Sequence, residues 1–265
     1  MYPFAYHRAT SVDNALATLA SAVDGKLLAG GMTLLPTLKQ RLASPSDLID
    51  LAGIADLNKI TATATVVSIG AMARHAEVAA SEAIRNVLPA LTQLASLIGD
   101  PQVRNMGTIG GSVANNDPAA DYPAALLGLG ATVVTNRRSI TADDFFKGMF
   151  ETALDAGEMI VRVDFPVPRR AGYEKFRNPA SRYATVGVFV AETSGGVRVA
   201  VTGAAPCVFR HKDMEAALAK SFSAAAVANI KTPATGLNAD IHASADYRAH
   251  LVGVITQRAV TKAIG

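Results

Sequence analysis

Two glycine pairs, far apart in the sequence, place the strongest constraint on the fold of this chain. The first pair lies in Ala29–Thr33 (AGGMT) and the second in Gly107–Ser112 (GTIGGS). Each pair follows an apolar stretch and precedes a segment that can begin a helix, so that backbone N–H groups turn towards an anion. Two such loops suit a ligand with two phosphates, and the sequence therefore predicts a dinucleotide site.

Polar side chains beside the two pairs favour a bound ligand. Thr33, Thr108 and Ser112 offer hydroxyl donors, and Asn115 offers an amide. Lys26, shortly before the first pair, is expected near the same anion. Each loop taken alone is also explained as a tight turn that needs glycine only for its backbone geometry. The Gly-x-Gly-x-x-Gly pattern of a Rossmann site and the phosphate-binding P-loop are both absent.

Asp121 follows the second pair at the start of a predicted helix. Its carboxylate only accepts hydrogen bonds and can hold a ribityl or ribose hydroxyl. It is also explained as an acidic group that stabilises the positive end of the helix. The preceding Asp117-Pro118 is interpreted as a turn. No signature of a nucleophile or a metal site appears, and the five histidines are scattered. Any redox chemistry must therefore come from a cofactor.

The composition predicts a folded protein with a sizeable core. Half of the 265 residues are hydrophobic and 18% are charged, which suits one large domain or two to three small ones. A net charge of +3 without basic blocks predicts no nucleic-acid partner. Without a secretory signal or an apolar run near the ~20 residues of a membrane span, we expect a cytoplasmic protein. The single cysteine, Cys207, cannot by itself hold an iron–sulfur cluster and is interpreted as a packed residue.

Apolar spacing and turn residues predict two structural parts. Residues 11–51 show the order helix, strand, glycine turn, helix and strand, and mixed strands and helices continue to residue 165. The second glycine segment, up to about residue 120, is too irregular for a helix or a strand. Beyond Pro166–Pro168 we expect three strands and two helices. The first helix, over 11–25, is expected to place four apolar residues on one face: Val12, Leu16, Leu19 and Val23.

Residues 27–43 and 102–131, which contain the glycine pairs, together resemble the FAD-binding medium subunits of molybdenum hydroxylases. That group includes carbon monoxide dehydrogenases, xanthine dehydrogenases and aldehyde oxidoreductases. The resemblance covers nearly the whole chain, including the opening FAYHRATSVDNAL, residues 172–188 and the terminal helix over 247–260.

This resemblance implies an α+β fold in two domains. The first, residues 1–165, is a two-part FAD-binding domain of the vanillyl-alcohol oxidase type, with subdomains of about 1–56 and 57–165. The second, residues 166–265, is a smaller α+β C-terminal domain with a three-stranded antiparallel sheet.

The resemblance also implies a residue set for FAD. Both loops would wrap the pyrophosphate and the adjoining ribityl chain, and Lys26 matches a lysine at the FAD site. Asp121 matches an acidic residue near the ribityl or ribose hydroxyls, and Ile160 an apolar residue near the adenine or flavin end. Lys175 and Tyr183 match residues beside the flavin. The cofactor-binding set is Lys26, Ala29, Gly30, Gly31, Met32, Thr33, Leu34, Thr108, Ile109, Gly110, Gly111, Ser112, Asn115, Asp121, Ile160, Lys175 and Tyr183, with no catalytic or metal-binding residue.

The resemblance finally implies that this chain is one subunit of a heterotrimer, or of a dimer of heterotrimers. An iron–sulfur small subunit would carry two [2Fe-2S] clusters, and a large subunit would carry the molybdopterin cofactor. This chain would take electrons from the clusters to FAD and pass them to an external acceptor. Two alternatives stay open: a self-contained flavin oxidase or reductase of the same fold, and a non-catalytic assembly scaffold. Carbon monoxide, aldehydes, purines and N-heterocycles all stay open as substrates of the complex.

Overall fold

The computed structural model describes all 265 residues, and its N-terminal part is a small parallel α/β unit. The elements are β1 Ala5–Arg8, α1 Val12–Ser21, β2 Gly25–Leu28, α2 Leu34–Lys39 and β3 Asp47–Asp50. The strands pair in the order β1-β3-β2, and both pairs are parallel. This arrangement confirms the predicted order and places the first glycine pair at the carboxyl end of β2.

The first helix ends earlier than the sequence predicts. The backbone becomes extended at Ala22, because the chain must turn there to enter β2. Val23 consequently lies outside the helix and is 97% exposed, so its expected place on the apolar face is wrong. Val12, Leu16 and Leu19 do pack against the core of the N-terminal part.

The central part is built on a five-stranded antiparallel sheet. A 3-10 helix at Ala55–Asn58 leads into it, and its strands are β4 Ile60–Ala62, β5 Val66–Gly70, β6 Thr132–Thr135, β7 Ser139–Thr141 and β10 Ile160–Pro166. They are arranged in the order β4-β5-β10-β6-β7. A hairpin of β8 Phe146–Gly148 and β9 Glu151–Thr152 lies beside the sheet. The helices are α3 His75–Ala80, α4 Glu82–Val87, α5 Pro89–Ser96, α6 Pro101–Met106, α7 Ile109–Asn115, α8 Tyr122–Leu129 and α9 Ala142–Phe145.

The second glycine segment is helical, which corrects the prediction of irregular structure. Asp100 caps α6 by accepting a hydrogen bond from the Val103 N–H. Thr108 caps α7 by accepting from the Gly111 N–H, so both glycines of the second pair lie in the first turn of a helix. The expected turn at Asp117 is present, since its carboxylate accepts from the Ala119 N–H.

The C-terminal part is an antiparallel sheet with helices packed on one face. Its elements are β11 Arg170–Arg177, β12 Ala184–Thr193, β13 Gly196–Thr202, β14 Phe209–Arg210, α10 Lys212–Lys220, α11 Ala224–Val227 and α12 Ala245–Ile264. The three predicted strands are present, and the two-residue β14 joins them as a fourth strand at the edge next to β13. The predicted turn between β12 and β13 is tight and has Gly196 at a φ of 108°.

The central and C-terminal parts share one hydrophobic core. Tyr173 and Phe189, from β11 and β12, belong to the same buried cluster as the central sheet. All eight residues of α8 are buried, and this helix packs against β12 and β13. Cys207 is half-buried against this core. The domain boundary at 165/166 stays a prediction. No helix here combines the length and apolar character required to cross a bilayer.

Candidate functional site

A cavity of about 710 Å³ opens between the two glycine segments. Its volume lies within the ~300–1,000 Å³ of small-molecule and cofactor sites. Every residue of the predicted set lines it except Ile109 and Lys175. Ile109 is fully buried in the central core. The folding of the chain thus brings together in one cavity two loops that are about eighty residues apart in the sequence.

The first loop presents an uninterrupted run of free backbone donors. The N–H groups of residues 30 to 33 donate no hydrogen bond to any protein acceptor. Gly31 has a φ of 71°, in the left-handed region that glycine adopts without strain. Successive free N–H groups in such a turn form a concave site for an anion. The geometry of this loop therefore fits a phosphate group.

The N–H groups around the second glycine pair are already used within the protein. Ile109 and Gly110 donate to the carbonyls of Ala73 and Ala71, at 3.1 and 2.8 Å, and Gly111 donates to the Thr108 hydroxyl oxygen. A Cβ at Gly110 would come within 2.6 Å of the Ala71 oxygen, so glycine here permits α7 to pack against the segment after β5. The expectation that both pairs expose free N–H groups is correct only for the first.

The two segments touch directly. A side chain at Gly30 would collide with the carbonyl oxygen of Met106 and come within 2.8 Å of the Gly107 Cα. Three polar side chains on this part of the lining make no hydrogen bond with the protein: Thr33, Ser112 and Asn115. They are consequently available to a ligand held between the segments.

Asp121 anchors a buried polar cluster at the wall of the cavity. Its carboxylate accepts a hydrogen bond from the Tyr173 hydroxyl and lies 2.9 Å from the Lys175 ammonium. Lys175 also donates to the Arg182 carbonyl and lies behind Asp121, outside the cavity lining. Burial raises the pKa of the Asp121 carboxyl, and the charge of Lys175 opposes that shift. Asp121 occupies the N-terminal cap position of α8, as the sequence predicts, but its side chain makes no hydrogen bond to the helix.

Apolar side chains from separate segments form much of the remaining lining. They are Leu27, Leu51, Met72, Ile98, Val103, Met159 and Ile160. Of these, the sequence pointed only to Ile160, because the others carry no signal beyond being apolar. Such a surface suits flat aromatic rings. Tyr183, which is 46% exposed, also borders the cavity, and burial of its hydroxyl region raises its pKa.

His75 also lines the cavity, although the sequence patterns identify it only as one of five scattered histidines. It is only 5% exposed, and burial, aided by the charge of Arg104, lowers its pKa to about 4. Lys26, expected near the anion, borders the cavity while its ammonium lies 3.2 Å from Asp24 at the surface. The free donors, the hydroxyls and the apolar lining together fit FAD.

Comparison with known proteins identifies the family. Residues 2–168 match the model of the FAD binding domain in molybdopterin dehydrogenase. The chain is 35% identical to the carbon monoxide dehydrogenase medium chain of Hydrogenophaga pseudoflava, over 98% of this chain and 96% of the relative. It is also 35% identical to the nicotine 6-hydroxylase medium subunit of Paenarthrobacter nicotinovorans, over 97% and 96%.

A solved structure agrees with these sequence matches. A chain of quinoline 2-oxidoreductase from Pseudomonas putida 86 superposes with a TM-score of 0.89 at 32% identity, covering 99% of this chain and 98% of that one. The fold, the cavity and the sequence relatives thus point to the same group of proteins. This chain belongs to the family of FAD-binding subunits of molybdenum-containing dehydrogenases.

Proposed function

We propose that this chain binds FAD in the cavity and acts as the electron-transfer subunit of a molybdenum–iron–sulfur hydroxylase. The observation that carries the proposal is the run of free N–H groups at residues 30 to 33, which lies beside the second glycine segment in one cavity. An anion-binding turn next to hydroxyl donors and an apolar surface matches the three chemical parts of FAD: pyrophosphate, sugar chain and rings.

The residues of the cavity divide naturally among those parts. The free N–H groups and Thr33 would hold the pyrophosphate, with Thr108 and Ser112 from the second segment. Asn115 and Asp121 would face the ribityl chain. When bound, FAD supplies reversible acceptance of one or two electrons.

The ring systems would occupy the remaining lining. Ile160 and its apolar neighbours would pack against the adenine or the flavin, and Tyr183 would lie beside the isoalloxazine. Lys175 would act indirectly, because it holds Asp121 from behind and does not itself line the cavity.

Two acidic residues of the lining, Glu158 and Asp121, are paired within the protein, which supports electron transfer over a substrate reaction of this chain alone. Glu158 is bonded to Arg138 and Thr135, and this pairing lowers its pKa to about 2. Asp121 is paired with Lys175. The carboxylates of Glu158 and Asp121 are thus committed to partners within the protein and are not free to serve as the acid or base that a self-contained flavin oxidase requires over its flavin.

The partners follow from the same proposal. With one cysteine, this chain needs a separate iron–sulfur small subunit to deliver electrons, and a large subunit to hold the molybdopterin cofactor. We expect a heterotrimer, alone or paired, in the cytoplasm. Relatives named for carbon monoxide and for nicotine are equally similar to this chain, which supports selection of the substrate in another subunit.

Titration with FAD tests the proposal. We expect the purified chain to bind one FAD and quench its fluorescence, and Gly30→Ala to weaken binding at least about tenfold because its methyl group collides with the Met106 carbonyl. Gly253→Ala in α12 is the matched control, since a Cβ there meets nothing closer than 3.9 Å. A chain that binds no FAD would favour the hypothesis of a non-catalytic assembly scaffold. Turnover of a simple alcohol by the isolated chain would favour the hypothesis of a self-contained flavin oxidase.

Co-purification tests the assembly. The native complex is expected to contain this chain, an iron–sulfur subunit and a molybdopterin subunit in equal amounts. Metal analysis and mass spectrometry of that complex would measure the composition. A stable native complex without iron or molybdenum would contradict the proposed role.

A further inference from the structure

His75 is a buried polar residue that none of the proposed FAD contacts uses. It is the first residue of α3, its backbone N–H donates to the Gly107 carbonyl at 3.0 Å, and its ring lines the cavity. The residue is 5% exposed. A polar ring buried to this extent requires a partner for its nitrogen atoms.

The two ring nitrogens have different surroundings. Nδ1 is completely enclosed and has no hydrogen-bond partner, whereas Nε2 also lacks a protein partner but is not enclosed. The Tyr122 ring lies 5.4 Å away between centroids, and its hydroxyl is likewise enclosed without a partner. A proton on Nδ1 would therefore place a second unpaired donor in the same buried region. Buried donors without acceptors are rarer than buried acceptors without donors, so the proton belongs on Nε2.

The Nε2 atom faces the junction of the two glycine segments. A Cβ at Gly107 would come within 2.6 Å of Nε2, and Gly107 in turn lies against Gly30. The Gly30 N–H is one of the free backbone donors of the first loop. The imidazole thus adds a side-chain donor beside the anion-binding turn, from an element that carries no glycine motif.

We infer that the His75 imidazole, in its neutral form with the proton on Nε2, donates a hydrogen bond to a pyrophosphate oxygen of bound FAD. This inference rests on the proposed function, because it names a further binding residue of the same site. The lowered pKa of His75, about 4, agrees with a ring that stays neutral and keeps one defined donor at neutral pH.

Three substitutions test the inference. His75→Gln places an amide N–H near the position of Nε2, whereas His75→Phe keeps the ring volume and removes the donor. We expect His75→Phe to weaken FAD and ADP binding about tenfold, and His75→Gln to stay within about threefold of the wild type. Riboflavin, which has no phosphate, should bind equally to all of them. His211→Phe is the control, because His211 is also a buried histidine but lies outside the cavity.

The outcomes separate this inference from the proposed function. If the wild-type chain fails to bind FAD, the proposed function is wrong. If the wild type binds FAD and His75→Phe binds FAD and ADP equally well, only the role of His75 is wrong. Equal losses of FAD and ADP affinity in the His75→Gln and His75→Phe variants would overturn the assignment of Nε2 as the donor.

Nitrogen-15 spectra of the wild type provide a test that does not depend on a variant folding. We expect the His75 ring to be protonated on Nε2 and its Nε2 resonance to move on addition of ADP. Protonation on Nδ1, or an Nε2 resonance that ADP leaves in place, would contradict the inference.

Discussion

Single residues that look alike in the sequence serve different purposes in the structure. In the first glycine pair, Gly31 adopts a left-handed φ beside free N–H groups, whereas in the second pair Gly110 permits helix packing against Ala71. Two acidic residues of the lining are paired within the protein and are not simply free to contact a ligand. Asp121 is paired with Lys175, and Glu158 is paired with Arg138. At this scale the neighbours of a residue, more than its type, determine what it can bind.

The buried ion pair predicts a large effect at one lysine. Lys175→Met leaves the Asp121 carboxylate buried without its cation, and we expect the free energy of unfolding to fall by about 3 kcal/mol. Lys26→Met is the matched control, because its pair with Asp24 is exposed and its loss should cost less than about 1 kcal/mol. Urea denaturation of both variants measures the difference. Equal losses of unfolding free energy in the two variants would show that burial does not determine how much each ion pair stabilises the protein.

The pH dependence of stability should report on His75. Its pKa is lowered from 6.5 to about 4 in the folded chain, so the unfolded chain binds the extra proton between these values. The free energy of unfolding therefore falls as the pH drops from 6.5 to about 4, by up to about 3 kcal/mol from this group. Urea denaturation over this range should give a steeper pH dependence for the wild type than for His75→Gln. Parallel curves for the two proteins would contradict the lowered pKa.

At the scale of elements, short helices with side-chain caps position the cavity lining. Both α6 and α7 are short, and each begins at a residue whose side chain accepts a hydrogen bond from the helix. Gly110 and Gly111 lower the helix propensity of this segment, which is why its local sequence predicts irregular structure. Hydrogen bonds to Ala71 and Ala73 offset that low propensity. The helical form of the second segment is therefore imposed by tertiary contacts.

The cap of α7 should matter to both stability and FAD binding. Thr108→Ala removes the acceptor for the Gly111 N–H, and we expect a loss of about 1 kcal/mol in unfolding free energy together with weaker FAD binding. Ser244→Ala removes the equivalent cap of α12, away from the cavity, and should cost similar stability without changing the affinity. Thermal denaturation and FAD titration measure the two effects. Unchanged FAD affinity in the Thr108 variant would show that this cap does not contribute to FAD binding.

At the scale of the whole molecule, the cavity depends on the C-terminal part of the chain. Tyr173 and Lys175 of β11 hold Asp121, and the Thr202 hydroxyl of β13 donates to the carbonyls of Pro118 and Ala120. The fully buried α8 lies between this sheet and the central part. The segment that follows the second glycine pair is thus held in place by contacts from the C-terminal part of the chain.

The packing of Phe189 should influence FAD binding in the cavity. Its ring packs against α8, where a Cβ at Gly128 would come within 2.9 Å of the Phe189 Cδ1. Phe189→Ala should lower the free energy of unfolding by about 3–5 kcal/mol and weaken FAD binding, because α8 follows Asp121 directly. Ile255→Ala, in the separate core beneath α12, should destabilise by about 2–5 kcal/mol while the remaining folded protein keeps its FAD affinity. Equal FAD affinities for the two folded variants would contradict this coupling.

Features that depend on neighbouring residues and on family motifs could be predicted from the sequence. These include the α/β order of the N-terminal part, the strands of the C-terminal sheet and the two segments that line the cavity. The folded chain was needed to show which N–H groups are free, that Lys175 lies behind Asp121, and that His75 joins the lining. This is because backbone hydrogen bonds and burial depend on contacts between distant segments, such as Gly110 with Ala71, which local sequence patterns do not record.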